Sequence, residues 1–214
     1  MTRVVHIVDY GIGNLLSVAR AVERAGGEAR LTRDADAIAG ADRVILPGVG
    51  AFEACVRTLH ETGLAAPTIA FARGGRPFLG ICVGMQMLFD YSLEFGTHAG
   101  LGLIPGRVAA IPTHDDTGSR KVPHIGWSAL ALPAGRRDWD ATILDRLAPG
   151  RDAAYFLHSF ACEPTRAGDC LAVTDYAGVE LCAAVMRDNL VGCQFHPEKS
   201  GPVGLTIVER FLSL

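Results

Sequence analysis

Two short stretches, far apart in the chain, carry residue types that together perform nucleophilic acyl chemistry. The first is Gly80-Ile81-Cys82-Val83-Gly84, between an apolar run and a segment of helical period. A thiol with glycine two residues away on each side has the form of a nucleophile elbow, a sharp strand-to-helix turn that holds the nucleophile in a strained conformation. Glycine at 80 and 84 removes the side chains that would keep strand and helix apart. A sulfur at a helix N-terminus also lies near the positive end of the helix dipole, which favours the thiolate that attacks carbonyl carbon. The second stretch is Gln194-Phe195-His196-Pro197-Glu198, closing another apolar run. Pro197 disfavours helix for His196 and keeps the chain extended. An imidazole beside a thiolate acts as base and then as acid to a leaving amine, while a carboxylate orients the ring. Cys82, His196 and Glu198 are therefore the candidate catalytic set. Taken singly, a Gly-flanked cysteine reads as structural and a His-Pro-Glu run as a polar turn; their pairing is what points to catalysis.

A third stretch, Pro47-Gly48-Val49-Gly50, follows a strand-like run. Its glycines permit unusual backbone angles, so the amides of Val49 and Gly50, with that of Val83, can bind a developing oxyanion beside Cys82. Asp9-Tyr10-Gly11-Ile12-Gly13-Asn14 invites a dinucleotide reading, but Leu16 stands where the third glycine belongs, so a tight strand-to-helix turn is expected instead. The six cysteines lack CxxC spacing, and the histidines show no metal-ligand spacing. No metal and no cofactor are expected, and Cys82 stands out as an exposed, Gly-flanked thiol among buried ones.

Such groups need elements that bring them to one place. Up to about residue 90 the chain alternates short β-branched runs with helical segments. Strands are expected over Val4–Asp9, Glu28–Leu31, Arg43–Leu46 and Pro77–Ile81. Helices are expected after Asn14, over Phe52–Leu59, Pro67–Arg73 and Val83–Phe89. That alternation predicts a parallel sheet covered on both faces, with adjacent strands carrying Pro47–Gly50 and Cys82 at neighbouring ends. After Gly96 the pattern becomes short strands and turns: 106–111, 121–130, 154–162, 171–175, 181–186 and 190–195, mostly antiparallel. A last helix over 201–212 sets Val203, Ile207 and Phe211 on one face. Thr113 to Arg120 is polar enough for a mobile loop.

With 214 residues and no linker or repeat, one domain over 1–214 is expected. A net charge of -3 without a basic cluster gives no reason to expect nucleic acid or an anionic membrane as partner. No stretch approaches the roughly 18 apolar residues of a membrane span, so a cytoplasmic location is expected.

These residues resemble a known group. Gly80-Ile81-Cys82-Val83-Gly84-Met85-Gln86 with a distant His196-Pro197-Glu198 is similar to the class I, triad-type glutamine amidotransferases. Six further stretches narrow the likeness: Asp9-Tyr10-Gly11-x-Gly13-Asn14, Leu46–Phe52, Leu103–Val108, Lys121–Trp127, Tyr155–Ser159 and His196–Ser200. From residue 4 to the C-terminus the chain resembles the glutaminase subunits of imidazole glycerol phosphate synthases. The resemblance implies a flavodoxin-like α/β fold with an open mixed sheet, parallel in its N-terminal half and more antiparallel in its C-terminal half. It implies glutamine hydrolysis in histidine biosynthesis and a heterodimer with a (βα)8-barrel cyclase that receives the ammonia. It also implies that Val49 and Gly50 form the oxyanion loop, that Gln86, His158 and Ser159 hold glutamine, and that Asn14, Trp127, Tyr155 and Lys199 face the partner. Ser128 and Phe160 depart from the pattern, which has asparagine and, more commonly, tyrosine there. Loss of a tyrosine hydroxyl near substrate removes one hydrogen bond, worth about 1 kcal/mol. The alternatives are a paralogous glutaminase feeding another synthase, a cysteine peptidase or γ-glutamyl hydrolase of the same fold, or a non-enzymatic redox or chaperone module in which Cys82 senses oxidant.

Overall fold

The computed structural model describes residues 3–115 and 118–214. Its first half runs β1 (Arg3–Val8), α1 (Leu15–Arg24), β2 (Gly27–Thr32), α2 (Ala35–Ala39), β3 (Val44–Gly48), α3 (Phe52–Glu61), α4 (Ala65–Arg73), β4 (Phe78–Cys82) and α5 (Val83–Gln86). There follow β5 (Phe89–Ser92), β6 (His98–Ala99), β7 (Ile104–Ala110), β8 (His114–Asp115), β9 (Gly118–Ser119), β10 (His124–Ala129), β11 (Ala153–His158) and β12 (Phe160–Pro164). The chain ends with β13 (Cys170–Tyr176), β14 (Val179–Arg187), β15 (Leu190–Cys193) and α6 (Gly201–Ser213).

Seven strands form the main sheet in the order β13-β14-β15-β4-β3-β1-β2. From β2 to β15 every pairing is parallel, and β15, β14 and β13 then pair antiparallel. The parallel sheet expected from the alternation is therefore present, and antiparallel strands of the C-terminal half extend it into a mixed sheet. Residues of β3, β4 and β15 are buried at every position, which requires cover on both faces of the sheet. On α1, Val18 and Val22 are buried one turn apart while Arg20 and Arg24 stay exposed, so a single stripe faces the core. Helices α1 and α6 pack together, and α4 packs against both α2 and α3.

A second sheet of four strands, β12-β7-β5-β6, and a two-stranded antiparallel ribbon of β10 with β11 complete the architecture around the site. Three expectations need correction. The helix expected over Val83–Phe89 is a single turn, Val83–Gln86, and Phe89 then enters β5 beside Ile104. Every residue from Val83 to Phe89 is buried, Gln86 included, and a run buried on all sides does not reveal its own period. The strand expected over 154–162 is two strands, interrupted at Ser159. β11 pairs with β10 in the ribbon and β12 with β7 in the four-stranded sheet, and only non-local pairing sets that break. The stretch 113–120 contains β8 and β9 rather than loop alone; Asp116 and Thr117 lie outside the described residues. The short helix α2, capped by the Asp34 side chain on the Asp36 amide, was not anticipated.

Candidate active site

Cys82 closes β4 with φ 56° and ψ −114°, a conformation disfavoured for any residue with a side chain and worth about 1–3 kcal/mol of strain. The elbow is thus realised. Its glycines are required by contact: a Cβ on Gly84 would lie 1.9 Å from the Leu46 carbonyl oxygen, and one on Gly48 would lie 2.6 Å from the Gly84 nitrogen. These close approaches put β3, β4 and α5 in backbone contact and set Gly48 directly beside Cys82 in the sheet register. Two sequence expectations change here. Cys82 is not exposed but 4% accessible, recessed in a cavity of about 290 Å³. With α5 only one turn long, little helix dipole is available to the sulfur, so its activation falls to neighbouring side chains.

The principal neighbour is His196. It follows β15 in extended conformation (φ −101°, ψ 96°), and Pro197 starts a short 3-10 turn to Lys199. Its amide donates to the Tyr155 carbonyl at 2.9 Å, and the Ser200 hydroxyl donates to its carbonyl at 2.7 Å. His196 Nδ1 lies 2.8 Å from Glu198 Oε1, both side chains being buried. Burial, the largest influence, pulls the His196 pKa down. Its interactions with Cys82 and Glu198 outweigh that and raise it to about 10. Gln194 adds an amide donor 3.9 Å from Cys82 Sγ.

Val49, Gly50 and Val83 line the same cavity, as do Gln86, His158 and Ser159. Gln86 has both amide hydrogens committed, to the Phe160 carbonyl and to Gln194 Oε1, each at 3.0 Å. What it can offer a ligand is therefore its carbonyl oxygen. His158 Nδ1 lies 2.9 Å from the Phe160 carbonyl and must carry the proton, since that carbonyl can only accept. Its Nε2, 3.1 Å from His124 Nδ1, is then the acceptor, and His124 Nε2 in turn accepts from Ser128 Oγ at 2.9 Å. Burial lowers both imidazoles to about 4, which keeps this chain neutral. His124 is held flat between Phe156 and Tyr176.

Three contributors escaped the sequence reading. Glu94 lines the cavity, where Glu198 does not, and its Oε2 accepts from the Phe52 amide at 2.6 Å. Gln194 and His124 are the other two. A polar residue inside an otherwise apolar strand end was a signal for Gln194, and His124 lay within the Lys121–Trp127 stretch that carries the resemblance; Glu94 had none.

Asn14 and Lys199 line the cavity as well. Asn14 occupies the N-cap position of α1, although its side chain makes no capping hydrogen bond. Trp127 and Tyr155 are opposite one another across the β10–β11 ribbon, ring centroids 6.1 Å apart, with Lys199 Nζ 5.9 Å from the Tyr155 ring. The exposed face of the ribbon carries Ile125, Trp127 and Leu157 at 54%, 57% and 40% exposure, an apolar patch adjoining the cavity. Among the described residues no helix is long and apolar enough to cross a membrane.

Residues 6–213 match the family model described as Glutamine amidotransferase class-I. The chain is 47% identical over 211 residues to the Imidazole glycerol phosphate synthase subunit HisH 1 of Legionella pneumophila (strain Lens), covering 98% of this chain and 99% of that protein. It is 45% identical over 207 residues to the corresponding HisH subunit of Geobacter metallireducens, covering 96% and 95%. Among solved structures, a crystal structure titled glutamine amidotransferase superposes with a TM-score of 0.71 at 17% identity, covering 98% and 99% of the two chains. The structure of PurLQS from Thermotoga maritima superposes at 0.70 with 20% identity, covering 100% of this chain and 99% of the other. At such identities these two structures establish the fold.

Proposed function

The chain belongs to the class-I glutamine amidotransferases, and on that premise we propose that it is the glutaminase subunit of an imidazole glycerol phosphate synthase. Residues 1–214 act as one domain that hydrolyses glutamine to glutamate and ammonia in histidine biosynthesis. The observation that carries the reading is the strained Cys82 sharing a small cavity with His196, whose Nδ1 is held by the buried Glu198 carboxylate.

In this cycle the Cys82 thiolate attacks the carboxamide carbon of glutamine. Amides of Val49, Gly50 and Val83 stabilise the oxyanion of the tetrahedral intermediate. Protonated His196 delivers its proton to the departing nitrogen, leaving a thioester and free ammonia. Now neutral, His196 takes a proton from water, whose oxygen attacks the thioester and releases glutamate. Glu198 holds the ring with Nδ1 toward itself and the other nitrogen toward the reacting atoms. The Gln86 carbonyl oxygen and the Glu94 carboxylate are acceptors in the cavity lining, suited to the substrate ammonium, and His158 and Ser159 complete that lining.

The partner is a (βα)8-barrel cyclase that receives the ammonia. The apolar ribbon face with Trp127 and Tyr155, together with Asn14 and Lys199 beside the cavity, forms the docking surface. The decisive experiment assays the reconstituted pair. Cys82→Ala should abolish synthesis from glutamine and leave synthesis from added ammonium salt intact. Loss of both activities would make Cys82 structural and defeat the reading.

A further inference from the structure

Two buried hydrogen-bond donors that the hydrolytic cycle leaves unused both aim at the backbone of the loop beside Cys82. Tyr10, 1% exposed in the turn after β1, donates from Oη to the Pro47 carbonyl at 2.9 Å. Cys55, fully buried near the start of α3, donates from Sγ to the Val49 carbonyl at 3.3 Å. A trans peptide sets its C=O and N–H on opposite sides, so each grip also directs the amide that follows. For Tyr10 that amide is Gly48 N–H, and for Cys55 it is Gly50 N–H, on the side away from α3. The Gly48–Val49 peptide is caught between the two held ones. Packing does not do this job at Gly50, where φ is +87° and a Cβ would meet nothing within 4 Å. Polar contacts have to.

We infer that Tyr10 and Cys55 are positioning residues for glutamine hydrolysis, holding the Pro47–Gly50 backbone with its amides turned toward Cys82. The inference rests on the function proposed above. Burial drives the Tyr10 phenol far above its usual range, with Cys55 adding to the effect, and burial likewise pushes the Cys55 thiol up. Neither group gives up its proton near neutral pH, so both remain donors. The Asp9-Tyr10-Gly11 turn thereby has a task unrelated to nucleotides: it delivers a phenol under the loop. A thiol is the weaker donor, which ranks Tyr10 above Cys55.

The test uses the full chain with the barrel cyclase present, comparing wild type, Tyr10→Phe, Cys55→Ala and Cys55→Ser. Glutamate release gives kcat and KM, and mass spectrometry of the Cys82 peptide gives its rate of alkylation by iodoacetamide. Alkylation displaces iodide from carbon and builds no oxyanion, so it senses the sulfur but not the loop amides. Complete loss of one oxyanion donor costs at least about a hundredfold, and loosening one should cost less: about tenfold in kcat for Tyr10→Phe and about threefold for Cys55→Ala. KM and alkylation should stay within about twofold of wild type, and Cys55→Ser, whose hydroxyl still donates, should recover most of the lost rate. Unchanged kcat in both deletion variants overturns the inference. So does a parallel fall in kcat and alkylation, which would mean a general disturbance around the sulfur. A wild-type chain that releases no glutamate would instead bring down the proposed function, and this inference with it.

Discussion

Lowering the pH should unstitch the buried chain His158–His124–Ser128, and its geometry sets the size of the effect. Both imidazoles have pKa values lowered by burial from 6.5 to about 4. A base whose pKa is depressed on folding contributes stability that is present above the unfolded value and lost as pH falls through the folded one. The window therefore runs from about 6.5 down to about 4. At about pH 4.5 each ring charges more readily unfolded than folded and favours unfolding by about 2–3 kcal/mol, so the two together approach about 5 kcal/mol. That is comparable to the whole stability of many domains, about 5–15 kcal/mol. The folded state has little room to escape. A proton added at His158 Nε2 meets His124 Nδ1–H across 3.1 Å unless His124 moves its own proton to Nε2, toward Ser128 Oγ. A second proton has no such outlet. Urea unfolding at about pH 7 and about pH 4.5, for wild type and a His124→Gln/His158→Gln double variant, isolates the pair from other acid-sensitive groups. The wild type should lose about 4–5 kcal/mol more than the double variant over that interval. Equal losses in the two proteins would refute a neutral, buried histidine chain. Ser128→Ala, which removes the only outlet, should be more acid-sensitive than wild type.

Three further outcomes follow from the same geometry. Gly84→Ala forces a methyl to 1.9 Å from the Leu46 carbonyl oxygen, so it should cost at least about 3 kcal/mol and lower the thermal midpoint clearly; an unchanged midpoint would contradict the close contact of β3 and α5. His196, raised to about 10, should stay protonated across neutral pH in an NMR titration. The stability it lends is present below about 6.5 and fades as pH climbs through about 10. In Cys82→Ala one upward influence disappears while burial remains, so its midpoint should fall; a midpoint unmoved from wild type would separate the two residues. Trp127→Ala, at a position 57% exposed, should leave stability within about 0.5 kcal/mol but weaken cyclase binding about tenfold, as titration of the pair would show.

Much of this protein was legible from local patterns. The parallel half of the sheet, the elbow at Cys82 and the extended backbone before Pro197 all follow from short-range rules: side-chain periodicity, absent Cβ atoms and a fixed proline ring. The same rules failed where the run is buried on every side, as in Val83–Phe89, whose helix is one turn long. They failed again at Ser159, where one strand-like stretch divides between two sheets. Family resemblance singled out Gln86, His158 and Ser159, and the structure places all three in the cavity. It gave no notice that Gln86 would spend both amide hydrogens on protein partners.

The amino-acid sequence alone determined which reactive groups exist and what local backbone each must adopt, because residue identity and short-range sterics act over a few neighbours. Tertiary structure alone decided that Cys82 lines a recessed cavity, that Gln194, 112 residues away, donates to its sulfur, and that Tyr10 and Cys55 reach the loop carbonyls. The physical reason is direction. A hydrogen bond depends on where donor and acceptor point, and for groups on different elements that is fixed only once the sheet has closed and the helices have packed.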